Sequence, residues 1–327
     1  MGTPFSYKKF KGGLSVEFVG FFLDYKEVTL GIISRRGEWL LNFIREMKLA
    51  KYTISMRRFA EFLGRMAFLA RVVIWLKPFL APLYSWSAAL DRSTVATAPK
   101  LVRLVLHFIG RQLELHDFRY TCRRPKKLQD EKFRTDAKCE VNLVVLGGHE
   151  MSTGRWFSLD VMRDDMPCLF KSDGQSQWAS GPAELLATLV GLKAFGYLGK
   201  ENGYDLVPVV LRAGTDNRAN EALVLRASTT KWPLTLVNMQ MAEHLLRNNL
   251  LLDLRWRPRD ENNLADDLTN KAFGNFDVDK RVLISLEETG VELIRLLWSC
   301  RDEFLDKSAW EVKSGGSTKS PFEKSVW

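Results

Sequence analysis

Four acidic residues in the second half of this 327-residue chain, Asp136, Glu184, Asp216 and Asp266, stand where they could do chemistry together. Asp136 falls on a predicted strand, Glu184 in the first turn of the next helix, Asp216 at the end of a later strand and Asp266 at the opening of a last helix. Carboxylates gathered at one point repel one another and stay ionised only when hard cations such as Mg²⁺ or Mn²⁺ neutralise them. Two such ions about 4 Å apart can activate a water and stabilise the leaving oxygen in an in-line displacement at phosphorus. Taken singly, each acid reads more readily as a solvated surface residue or a helix cap. Order and spacing carry the expectation.

The elements that must position these acids emerge from the hydrophobic pattern. Strands are predicted over 133–137, 142–148 and 155–159, then a helix over 181–195 with Ser180 as its cap and Pro182 in its first turn. A buried strand over 206–213, helices over 218–226 and 234–248, a strand over 250–256 and a final helix complete a mixed α/β layer architecture. In the front half, alternation around Asp24-Tyr25-Lys26-Glu27 reads as a hairpin over 14–34, with a helix over 38–49 after it. Ser55 caps a longer helix, Pro78 and Pro82 punctuate the segment beyond it, and a helical segment covers 99–115.

The basic run Arg123-Arg124-Pro125-Lys126-Lys127 marks a boundary, and such a run also has the character of a nuclear-localisation patch. The expected organisation is a first unit over 1–120, a basic linker over 121–131, an α/β domain over 132–275, a helical extension over 276–312 and a disordered tail over 313–327.

Composition narrows the class. Hydrophobic residues make up 46% and charged residues 27%, an ordinary globular balance. The net charge of +9 is uneven: residues 1–132 carry 24 Lys and Arg against 11 Asp and Glu, and 133–327 carry 24 against 28. A basic front beside an acidic back suits a polyanion-binding platform joined to a metal-dependent site, or simply a solvated basic face. Cys122, Cys139, Cys168 and Cys300 lie far apart without zinc-ligand spacing, which points to a reducing compartment. The apolar stretch 66–84 is interrupted by Arg71, Lys77, Pro78 and Pro82, so no membrane association is expected. The N-terminus lacks an apolar signal-peptide region, so the expected location is intracellular, in nucleus or cytoplasm, and not secreted.

Four segments carry a family resemblance: Thr135-Asp136-Ala137, Ala183-Glu184-Leu185-Leu186-Ala187, Thr215-Asp216-Asn217, and the run from Trp256 to Asn270 (WRPRDENNLADDLTN). In order and spacing they resemble the motifs of retroelement ribonuclease H domains over roughly 132–275. The resemblance implies a ribonuclease H-like mixed five-stranded sheet with flanking helices. It also implies hydrolysis of the RNA strand of RNA–DNA hybrids with two Mg²⁺ ions, or Mn²⁺ in their place. Asp136 would bridge both ions, Glu184 and Asp216 would hold one near the scissile phosphate, and Asp266 would complete the other site, with Asp267 as the alternative. Many cellular relatives carry a histidine in the loop before the last acid. Here that loop, 257–263, has none, and Arg259, Asp260 and Glu261 are the groups present. Lys138-Cys139-Glu140 stands where small residues often come after the first acid.

Lys11-Gly12-Gly13, Phe18-Val19-Gly20-Phe21, Leu30-Gly31-Ile32, Arg35, Arg36 and Trp39-Leu40 resemble the region after the catalytic palm in reverse transcriptases of tyrosine-recombinase-type (DIRS-like) retroelements. The run from Glu61 to Tyr84 is similar to their thumb and connection. No aromatic-x-Asp-Asp motif precedes this region, so no polymerase activity is expected from this chain alone, and the resemblance implies a separately encoded or missing polymerase palm as partner. Candidate contacts to a hybrid or other nucleic acid are Arg57, Arg58, Arg65, Arg71 and Lys77, with Asn217 and Arg259 near the acids. Trp75, Phe79 and Trp86 suit core packing better than base stacking. The competing expectation is a domesticated or inactive fragment that only binds nucleic acid, and a third is a different nuclease or recombinase with the same acidic core.

Overall fold

Short alternating runs broken by Asp24-Tyr25-Lys26-Glu27 form a meander of β1 (Ser15–Phe18), β2 (Phe21–Asp24) and β3 (Thr29–Ile32), all antiparallel. The computed structural model describes residues 12–116, 118–121, 126–199, 208–307, 310 and 312–313. Cys122, most of the basic run 123–127 and the tail beyond 313 lie outside the described residues, as does Lys11. The chain divides into two units, one of residues 1–74, 86–124 and 306–327, the other of residues 75–85 and 125–305.

In the first unit the meander leads to α1 (Ser34–Leu49), β4 (Thr53–Ser55), α2 (Met56–Leu69), β5 (Val95–Thr97), α4 (Lys100–Leu115) and β6 (Arg119–Thr121), while most of α3 (Lys77–Ala88), residues 77–85, counts with the second unit. Strand β6 joins the meander beside β3. Helices α2 and α4 each turn one apolar stripe inward, as their 3.6-residue spacing dictates. In the core of this unit Phe43 of α1 stacks on Phe62 of α2, centroids 4.4 Å apart, and Phe59 lies edge-on to Trp86 at 4.8 Å. The apolar stretch 66–84 is divided between the end of α2 and α3. No helix among the described residues is long and apolar enough to cross a membrane.

In the second unit, β7 (Lys126–Glu140), β8 (Leu143–Glu150) and β9 (Trp156–Met162) form an antiparallel meander. Strand β7 is far longer than the predicted 133–137 and begins inside the expected linker. After α5 (Ser180–Ala194), β10 (Val209–Thr215) returns parallel to β7. Helices α6 (Arg218–Arg226) and α7 (Leu234–Arg247) lead to β11 (Leu250–Trp256), parallel to β10. The strand order is β11-β10-β7-β8-β9, a ribonuclease H-like mixed five-stranded sheet. Helix α8 (Asn263–Thr269) comes next, then α9 (Leu286–Thr289), α10 (Glu292–Trp298) and α11 (Arg301–Leu305). The part of the expected extension up to Leu305 is thus built into this unit, where Gln240 Oε1 accepts from the Leu293 N–H at 2.9 Å.

Two glycines set how closely helices approach the sheet. Helix α5 is apolar nearly all round and packs on β7 and β8. A Cβ on its Gly191 would lie 2.9 Å from Phe133, so only glycine permits that approach. Helix α8 also packs on β8 and β7. A Cβ on Gly147 of β8 would meet Leu268 Cβ at 2.9 Å and Ala265 O at 3.1 Å.

Candidate metal centre

Strand alternation places Thr135 and Asp136 on opposite sides of the sheet. Thr135 Oγ1 shares a 3.1 Å hydrogen bond with Thr188 of α5, and Asp136 Oδ2 accepts from Thr269 Oγ1 of α8 at 3.1 Å. Asp136 pairs across the ladder with Gly147, so the residue that admits α8 stands opposite the acid that α8 touches. Strand β10 ends at Thr215, and Asp216 is the next residue. Helix α5 starts one residue earlier than predicted, with Ser180 inside it, so Glu184 opens its second turn.

These elements bring Asp136, Glu184 and Asp216 together, with one ligand oxygen from each lying within 4.8 Å of the others. Glu184 is oriented by two long hydrogen bonds, from Thr215 Oγ1 and Asn217 Nδ2, each 3.3 Å. Asn217 also caps α6, accepting from Ala219 N and Asn220 N. Trp256 Nε1 donates to the Asp216 carbonyl at 3.0 Å and fixes the backbone there. Burial and then the charge of Asp216 push the Asp136 carboxyl up to about 6 and that of Glu184 up to about 8. Asp216 Oδ1 is buried with no hydrogen-bond partner. A buried carboxylate oxygen left unsatisfied beside two acids is costly without a cation, so this donor set fits a hard divalent metal.

Asp266 stands apart from that group. Its carboxylate accepts from Arg259 Nη2 at 3.3 Å and from Asn270 Nδ2 at 2.9 Å. It still contributes, after burial and Asp216, to raising Asp136. The loop between β11 and α8 is tied to β7: Arg134 and Arg257 both pair with the nearly buried Glu131, Arg134 donates to the Glu261 carbonyl, and Asn262 Nδ2 donates to Thr135 O at 3.3 Å. Asp267 is half-buried on α8. Asp260 and Glu261 are exposed in the preceding turn. Lys138 pairs with Glu140 at 2.7 Å, both partly exposed.

Among the cations predicted before the basic run, Arg57 and Arg71 are exposed. Arg58 pairs with Glu46, and Arg65 lies over the Trp39 ring, 3.5 Å from its centroid, and pairs with Glu61. Lys77 is half-buried at the start of α3. Phe79 and Trp86 are fully buried, and Trp75 Nε1 donates to Leu250 O at 3.1 Å. Sequence reading missed Thr269, Thr215 and Gly147 as parts of the site. The threonines that lie close to the acids in sequence, Thr215 and Thr269, were the available signal, because a hydroxyl beside a carboxylate cluster can donate to it; Gly147 offered none.

No protein-family model matches the chain, and no curated protein matches it. Among solved structures it is similar to an RNase H1 isolated from compost by a metagenomic approach, at 18% identity and a TM-score of 0.30 over 44% of this chain and 94% of that one. The RNase H1 of the halophilic archaeon Halobacterium salinarum NRC-1 is similar at 19% identity and a TM-score of 0.30, over 44% and 96%. A foamy viral protease-reverse transcriptase in complex with RNA/DNA hybrid is similar at 12% identity and a TM-score of 0.27, over 74% of this chain and 29% of that one. Strand order and acid placement define the class: a ribonuclease H-like α/β domain with an acidic trio able to hold metal.

Proposed function

We propose that the second unit is a metal-dependent endonuclease that hydrolyses the RNA strand of RNA–DNA hybrids, within the C-terminal portion of a retroelement reverse transcriptase. The observation that carries this reading is the convergence of Asp136, Glu184 and Asp216 around a buried, unpartnered Asp216 oxygen. Asp136, Glu184 and Asp216 would hold Mg²⁺ or Mn²⁺, with Asp266 at the edge of the site. Bound there, divalent cations supply Lewis-acid activation of water and neutralise charge at the phosphate.

The chain's own groups do the positioning. Thr269 holds one oxygen of Asp136, and Thr215 with Asn217 holds both oxygens of Glu184. Asp136 and Glu184 must give up protons to act as ligands, since burial and Asp216 hold both carboxyls high. Arg259, on the 257–263 loop, is salt-bridged to Asp266 and is the cation nearest that acid. The deciding comparison offers the purified chain labelled RNA in a hybrid, the same RNA single-stranded, and a DNA duplex, each with Mg²⁺ or Mn²⁺. Cleavage confined to the hybrid is the expected result. Preferential cutting or joining of DNA would assign the acidic core to a different nuclease or recombinase, and folded but inert protein would leave a binding fragment.

A further inference from the structure

Three carboxylates at one point repel any phosphodiester that approaches them, so a strand bound beside them needs a cation whose charge is not already spent. The basic residues around the trio are largely spent: Arg134 and Arg257 pair with Glu131, Arg259 with Asp266, and Lys271 with Asp160. Arg218 differs. It is exposed, two residues beyond Asp216, and makes no ion pair among the described residues. Its guanidinium carbon lies 3.9 Å from the centroid of the Trp256 ring.

That ring is itself anchored, because Trp256 Nε1 donates to the Asp216 carbonyl at 3.0 Å. Asn217, between the acid and the arginine, is held at both ends by its cap of α6 and its bond to Glu184. The guanidinium is therefore pre-positioned by a cation–π contact that uses none of its N–H donors, leaving them for a planar, bidentate acceptor.

We propose that Arg218, held on the face of Trp256, is a phosphate contact for the nucleic-acid strand that enters the acidic trio. The proposal rests on the nuclease reading for its substrate but is tested by binding alone. The anisotropy of a labelled RNA–DNA hybrid is measured in EDTA, so that nothing is cleaved, across a series of NaCl concentrations, for the parent, Arg218→Gln and Arg218→Lys. Circular dichroism confirms that all three are folded.

Arg218→Gln is expected to bind more weakly and to lower the slope of log affinity against log salt by about 0.9, the share of one phosphate. Arg218→Lys keeps the charge and the parental slope. A parental slope in Arg218→Gln, a slope in Arg218→Lys as low as in Arg218→Gln, or a parent that does not bind the hybrid overturns the proposal. A parent whose binding depends on Arg218 but which fails to cleave in Mg²⁺ leaves this contact standing and removes the nuclease reading instead.

Discussion

Protons are held unusually tightly at Asp136 and Glu184, because both carboxyls are largely shielded from water and face Asp216. Raised carboxyl values in the fold mean that the metal-free protein gains stability from protonation. That gain is complete below the ordinary carboxyl range and is lost as pH rises through about 6 for Asp136 and about 8 for Glu184. A cation has to displace those protons. In EDTA the melting temperature attributable to this site should therefore fall between about pH 5 and about pH 9. Mg²⁺ or Mn²⁺ should raise it, and by more at the alkaline end; an increment equal at both ends would contradict the assignment. Asp216→Asn removes the charge common to both shifts. It should melt in EDTA at about pH 8 no lower than the parent while losing the metal increment. At this scale the acids were legible because their motifs come in a distinctive order. Their supports were not, since Thr269 and Gly147 have meaning only once α8 is laid across β8.

Elements place the site through close packing. Gly147 and Gly191 let α8 and α5 approach the sheet. Gly147→Val should push α8 outward, cost about 1–3 kcal/mol in urea unfolding and weaken cleavage, because Thr269 and Asp266 move with the helix. Gly274, with open space around its Cβ position, is the control, and Gly274→Ala should leave both unchanged. Boundaries were less legible than existence. Helix α6 and strand β11 fall on their predicted spans, because sharp local signals flank them. Strand β7 extends to Lys126 through a charged stretch whose polarity masks a strand, and pairing with β10 supplies what the sequence pattern lacks. The prolines misled in the other direction. Pro78 occupies the first turn of α3, where no N–H is needed, and Pro82 lies inside the helix, which continues to Ala88.

For the molecule as a whole, charge asymmetry and the fold of the second unit point the same way, with a net basic front and a net acidic back. The sheet order was readable only through motif resemblance, because hydrophobic periodicity identifies strands but does not say which ones pair. The most direct test of the account is cleavage of the RNA strand in a labelled RNA–DNA hybrid by the purified chain in Mg²⁺, beside Asp136→Asn and Asp216→Asn. Metal-dependent cleavage by the parent, abolished by either substitution in protein shown to be folded, is the predicted result. A folded parent that cleaves nothing in Mg²⁺ or Mn²⁺ contradicts the nuclease reading, and cleavage that survives both substitutions contradicts the site.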